Sequence, residues 1–226
     1  PSHEMTIPST QQTVNYRPYL VKEEKILLLA FESRDQKTAL KEMINTIKAC
    51  VSDNIDTSRL TMFDVEYMFT QIRSKSVGET SKVSINCSEC EHANEVSVNL
   101  SSIEVKVPEV ESVVKISDDV SVELQYPSFE VFIDNWKDGM KEAELTYQIV
   151  NYCIRAVITE DARIDAKDVG LKEIGVFVES MNAKQFKCIT DFISTMPTMN
   201  KEISFSCSKC SHENQRKLSG ISDFFS

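Results

Sequence analysis

Two short segments carry the residues able to do chemistry. Cys87-Ser88-Glu89-Cys90 is followed by His92 and Asn94, and Cys207-Ser208-Lys209-Cys210 by His212 and Asn214; every matching position recurs 120 residues later. Each copy follows an alternating stretch, Lys82 to Asn86 in one and Glu202 to Ser206 in the other. A Cys-x-x-Cys turn at a strand end points two thiolates to one side. Two such turns complete a tetrahedral, structural zinc ribbon with no open position for water. Cys87, Cys90, Cys207 and Cys210 are therefore the expected metal ligands. Two alternatives stand beside this one: each knuckle holds its own metal with His92 or His212 as third ligand, or the cysteines are unmetallated or disulfide-bonded. A redox Cys-x-x-Cys opens a helix, whereas these lie between strands. The histidines are expected next to the site or facing solvent.

Little else in the chain could support catalysis. Of three histidines two sit in the knuckles, leaving His3 near the start, so Ser-His-Asp and Cys-His arrangements lack material. Five glycines form no Gly-x-Gly-x-x-Gly and no phosphate loop. Carboxylate pairs such as Glu23-Glu24 and Asp118-Asp119 read as solvated faces in a chain with 35 acidic residues. The loop bearing Asp161, Asp165 and Asp168 lacks EF-hand spacing. A non-enzyme, with no catalytic or organic-cofactor-binding residue and no small-molecule substrate, is the expectation.

The elements that must position the knuckles follow from periodicity. Met5 to Tyr19 alternates weakly around a turn at Pro8-Ser9-Thr10-Gln11-Gln12. Helices are expected from about 21 to 33, 36 to 51 and 61 to 75, the second with Leu40, Met43, Ile44, Ile47 and Val51 as one buried stripe. Residues 103 to 125 read as β-rich, with a turn at Asp118-Asp119. A short helix from 128 to 137, a long one from 141 to 158, and two more at 169 to 181 and 183 to 195 lead to the second knuckle.

Both halves share an order: hairpin, Tyr-containing Pro turn (Tyr16-Arg17-Pro18, Tyr126-Pro127), short helix, long helix, helical region, knuckle. The expected fold class is α+β: two pseudo-repeated lobes, 1–100 and 101–226, joined by the zinc ribbon. The ordinary alternative is that helices and strands recur in any α+β protein.

Composition sets the limits. With 226 residues, 41% hydrophobic and 27% charged, the chain is that of a soluble globular protein. A net charge of −10 and a pI near 4.9 disfavour nucleic acid. No apolar run approaches the roughly 20 residues of a membrane span, and Pro1-Ser2-His3-Glu4 does not open a signal peptide. Cys50, Cys153 and Cys188 lie in apolar stretches as small hydrophobes, which favours a reducing compartment. At the far end Phe224 and Phe225 either fold back over the ribbon or insert into a partner's groove.

The segments Met5 to Thr10, Tyr16-Arg-Pro-Tyr-Leu-Val-Lys-Glu-Glu-Lys-Ile-Leu-Leu28 and Leu218-Ser-Gly-Ile-Ser-Asp-Phe-Phe225, with the knuckles, resemble the baseplate hub protein family of T4-like tailed phages. That family includes a hub or central-spike subunit and a related hub assembly factor. The resemblance implies a tail role without catalysis, assembly in the host cytoplasm, a place in the virion and other baseplate or tail proteins as partners. Two alternatives are an assembly factor absent from the finished particle and a zinc-ribbon adaptor for host transcription machinery.

Overall fold

The structure, a computed structural model, describes residues 2–33, 35–135, 137 and 139–224. The chain packs as two units, Pro1–Lys106 with Pro197–Ser226, and Val107–Met196.

The first unit opens with a hairpin of β1 (His3–Thr6) and β2 (Thr13–Tyr16). Three helices follow: α1 (Val21–Glu32), α2 (Gln36–Cys50) and α3 (Met62–Val77). Their starts are written in polar side chains. Asp35 accepts from the Thr38 amide at the head of α2, and Thr61 and Asp64 bond reciprocally at the head of α3. The Tyr16-Arg17-Pro18 segment finds its reason at α1. The buried Glu23 carboxylate accepts from the Leu20 amide at 2.6 Å and from Arg17 Nη2 at 3.1 Å, while Arg17 also donates to the carbonyls of Pro18 and Ala49. This clamp ties the first turn of α1 to the last turn of α2. Burial raises the Glu23 carboxyl's pKa, but the Leu20 amide and Arg17 outweigh it and hold it below its usual value.

Past Gly78, whose φ of 127° suits glycine, come β3 (Thr80–Asn86) and β4 (Ala93–Asn99), an antiparallel pair. In the second unit β5 (Val113–Lys115), β6 (Val120–Leu124), β7 (Ile154–Thr159) and β8 (Arg163–Asp165) form one antiparallel sheet in that order. Helices α4 (Phe129–Asn135), α5 (Glu142–Cys153), α6 (Ala166–Val169), α7 (Leu171–Glu179) and α8 (Ala183–Ser194) complete it. Val122, Leu124, Val150, Ile154, Ile174, Val178, Ile189 and Phe192 make its core. Glu123 is held by Arg155 and Arg163.

The chain then re-enters the first unit as β9 (Asn200–Ser206), β10 (Glu213–Ser219) and α9 (Gly220–Phe224). A core of Val83, Val98, Leu100, Ile103, Met199, Leu218 and Phe224 joins this return to β3 and β4. The Ser81 hydroxyl donates to the Phe224 carbonyl at 2.6 Å.

Four expectations change. The long helix read through 158 ends at Cys153, where Ile154-Arg-Ala-Val-Ile-Thr159 becomes a strand inside the sheet; β-branched residues with neighbours on both sides outweigh the helical spacing. Regular strands in 103–125 are confined to β5 and β6. The second knuckle packs with residues 1–106, not with those that precede it, so the unit boundaries fall at 106/107 and 196/197 and differ from a division at residue 100. Phe224 is fully buried, which removes it as an exposed partner-binding residue. Phe225 lies outside the described residues.

Candidate metal centre

The two knuckles are the ends of two hairpins. Cys87 to His92 joins β3 to β4, and Cys207 to His212 joins β9 to β10. Their backbones close alike: the Cys87 amide donates to the His92 carbonyl and Glu91 to Cys87, and Cys207 donates to His212 and Ser211 to Cys207, all at 2.9–3.1 Å. Each turn is completed by a non-glycine residue in the left-handed region, Glu91 at φ 57° and Ser211 at φ 60°.

The hairpins meet at their tips. Cys87, Cys90, Cys207 and Cys210 bring all four sulfurs within 4.8 Å of one another. The Cys87–Cys210 and Cys90–Cys207 sulfurs are 3.7 Å apart. Four sulfurs about 2.3 Å from a central zinc stand about 3.8 Å apart at the corners of a tetrahedron. The donor set therefore fits one metal ion of that size. A disulfide needs sulfurs at about 2.05 Å, and these four cysteines are free. One shared group of four leaves no place for a separate metal in each knuckle.

The histidines act through their backbones. Their side chains are exposed, and the group of four sulfurs closes without either one. His92 O accepts from Cys87 N and from Asn94 Nδ2 at 2.8 Å, and His212 O from Cys207 N and Asn214 Nδ2 at 2.9 Å.

The buried asparagines link the two hairpins, and sequence reasoning gave them no role. Asn94 Oδ1 accepts from the amide and hydroxyl of Ser208 at 2.9 and 3.0 Å, and its Nδ2 points to Cys207 Sγ at 3.6 Å. Asn214 mirrors it: Oδ1 accepts from the amide and hydroxyl of Ser88 at 2.9 and 3.0 Å, and Nδ2 lies 3.5 Å from Cys87 Sγ. Each asparagine thus belongs to one hairpin and fastens the turn of the other, beside a ligand sulfur. The signal was present in the recurring Ser and Asn at the same 120-residue offset.

Electrostatics separates the thiols. The controlling groups are amides: donation from the Cys210 amide, against some burial, with help from the Lys209 amide and Asn94, lowers Cys207 to about 6. Burial raises the Cys87 thiol, yet the Cys90 and Glu89 amides and Asn214 leave it lowered. The His212 amide lowers Cys210, but the neighbouring sulfurs of Cys90, Cys207 and Cys87, with burial, push it up to about 12. Amides prepare thiolates on the first cysteine of each knuckle, while crowding opposes ionising all four. A divalent cation removes that opposition. Away from the site, burial pushes Cys153 up to about 12, consistent with an inert core thiol.

With this geometry the comparisons acquire meaning. A family model described as T4 bacteriophage base plate protein matches residues 1–226. The chain belongs to that family. No curated protein and no solved structure matches it. As a baseplate protein it is a virion component whose expected contacts are other phage proteins. No helix among the described residues is long and apolar enough to cross a membrane.

A third hairpin of the baseplate protein has the same tip without the sulfurs. In the β1–β2 turn Ile7 N donates to Gln12 O and Gln11 N to Ile7 O, both at 2.9 Å, and Gln11 has φ 57°. Ile7 and Thr10 stand where the knuckles have cysteines. Asp64, fully buried, accepts from the Ser9 amide at 2.9 Å and hydroxyl at 2.6 Å, as the asparagines accept from Ser88 and Ser208. It also accepts from the Thr61 amide and hydroxyl. The turn at Pro8 to Gln12 was expected from the sequence, but its likeness to the knuckles and its anchor were not; the available signal for the anchor was Thr61-x-x-Asp64, a helix-start pattern.

Proposed function

We propose that this protein is a non-enzymatic component of the phage tail baseplate hub, a protein–protein scaffold stabilised by zinc at Cys87, Cys90, Cys207 and Cys210. The observation carrying the baseplate role is the family match over residues 1–226. The hub assignment rests on the Tyr16 to Leu28 segment and the ending Leu218 to Phe225, which resemble hub proteins. Zinc is proposed because four cysteines with sulfur spacings of 3.7 Å form an all-thiolate, closed donor set. Bound there, zinc supplies folding free energy and no reaction step.

The metal's task in this reading is topological. Cys90 and Cys207 are 117 positions apart, and the whole unit Val107–Met196 lies between them in sequence. The cage fixes the hairpin that follows this insertion onto the one that precedes it. The likeness in element order between the halves supports descent from a duplicated unit, with β7 and β8 as additions to the second copy.

We place synthesis and assembly in the reducing host cytoplasm, where thiolates remain free to take up metal. Mass spectrometry of purified tails tests the structural role: stoichiometric presence is expected. Absence from finished tails, with binding to hub precursors, would replace it with the assembly-factor reading. A zinc-ribbon adaptor for host transcription machinery would instead co-purify with polymerase.

A further inference from the structure

Helix α1 presents an apolar surface that the chain itself leaves open. Glu23, Leu27 and Ala30 are its buried residues. Val21, Ile26, Leu28, Leu29 and Phe31 are between 48% and 79% exposed, Phe31 the least and Val21 the most. At 3.6 residues per turn, Val21, Lys25, Leu28, Leu29 and Glu32 share one sector about 100° wide, opposite the buried face. Ile26 and Phe31 flank that stripe on its two sides. A helix with apolar side chains around its circumference is one that becomes covered.

The charges on the stripe identify the cover. Lys25 and Glu32, both exposed, are separated by two helical turns with Leu28 and Leu29 between them. Such a face complements itself when reversed. We propose that the protein forms a two-fold symmetric dimer in which α1 packs antiparallel against α1 of a second copy. The axis passes between Leu28 and Leu29, so each leucine meets its own counterpart. Lys25 then faces Glu32 of the second copy, and the pair occurs twice, as a closed isologous interface requires. Ile26 lines one edge of the seam with its counterpart, and Phe31 lines the other. The inference is independent of the metal and of the hub assignment.

The interface is small. Two helices of this length bury less than the roughly 1,200–2,000 Å² of a standard interface, so the dimer is a weak one.

Sedimentation equilibrium of the full chain across a concentration series tests this. The wild type is expected to pass from monomer to dimer. Lys25→Glu and Glu32→Lys each place like charges opposite one another at both ends of the seam and weaken association about tenfold. The double variant Lys25→Glu/Glu32→Lys restores it, and an equimolar mixture of the two single variants forms a heterodimer with both pairs satisfied. Leu28→Glu abolishes the dimer, with far-UV circular dichroism confirming that the monomer stays folded. A wild type monomeric at every concentration overturns the proposal, including the case in which Leu28→Glu disrupts binding to a different baseplate protein. A dimer indifferent to these charge reversals also overturns it, because its interface then lies elsewhere.

Discussion

The hairpin tip at residues 7–12 and those at 87–92 and 207–212 share one backbone path but are fastened differently. All three close through the same pair of amide–carbonyl bonds around a left-handed fifth residue, Gln11, Glu91 or Ser211. In the first, buried Ile7 and two hydrogen bonds from Ser9 to Asp64, a carboxylate also bonded by Thr61, hold the turn. In the other two, cysteines occupy the corresponding positions and the tips face each other. The turn therefore does not need metal to form. What the sulfurs add is attachment of one hairpin to another, across a long insertion.

The largest effect separating the fastenings is expected from Cys207→Ser. Loss of the shared cage removes metal and costs more than about 4 kcal/mol, as loss of a structural metal does. Hydrogen exchange should rise across Asn200–Ser219 while His3–Tyr16 stays protected. Equal exposure of both hairpins would break the distinction.

Asp64→Ala is the reciprocal experiment. It strands the buried amide of Thr61 and frees Ser9, at a cost of about 3 kcal/mol. Denaturant unfolding should show that loss with metal content unchanged; metal loss would show that the two fastenings are not separate.

Asn94→Ala and Asn214→Ala come next. Each removes the bonds that secure the opposite knuckle's serine, so a fall of about 10-fold or more in metal affinity is expected, similar for both. Competition with a chromophoric chelator measures it. An effect from only one asparagine would break the mirrored arrangement.

The smallest effect sharpens the shared backbone. Glycine at Gln11, Glu91 or Ser211 relieves the left-handed strain and should shift stability by no more than about 1 kcal/mol, with the same sign at all three. Thermal unfolding of the single variants checks this.

The sequence exposed the local parts of this molecule better than its long-range ones. The cysteines and their partnership were legible because two identical spacings make a complete ligand set. Helices α1, α2 and α3 were legible from apolar stripes, with ends within a few residues. The strand Ile154–Thr159 was not, because its apolar residues continue the spacing of α5, and only pairing with β6 and β8 decides its state. The placement of the second knuckle with the first unit depends on Phe224, Leu218 and Met199 packing against Val83 and Val98, contacts between distant parts of the chain that leave no periodic trace. The roles of Asn94 and Asn214 were written in the repeat but required the tips to be brought face to face.

The most direct measurement is the metal content of the purified chain beside Cys207→Ser, by inductively coupled plasma mass spectrometry. One shared four-sulfur cage predicts about one zinc per wild-type chain and none bound to the variant. Two zinc ions per chain, or none, would contradict a single metal fastening the two hairpins.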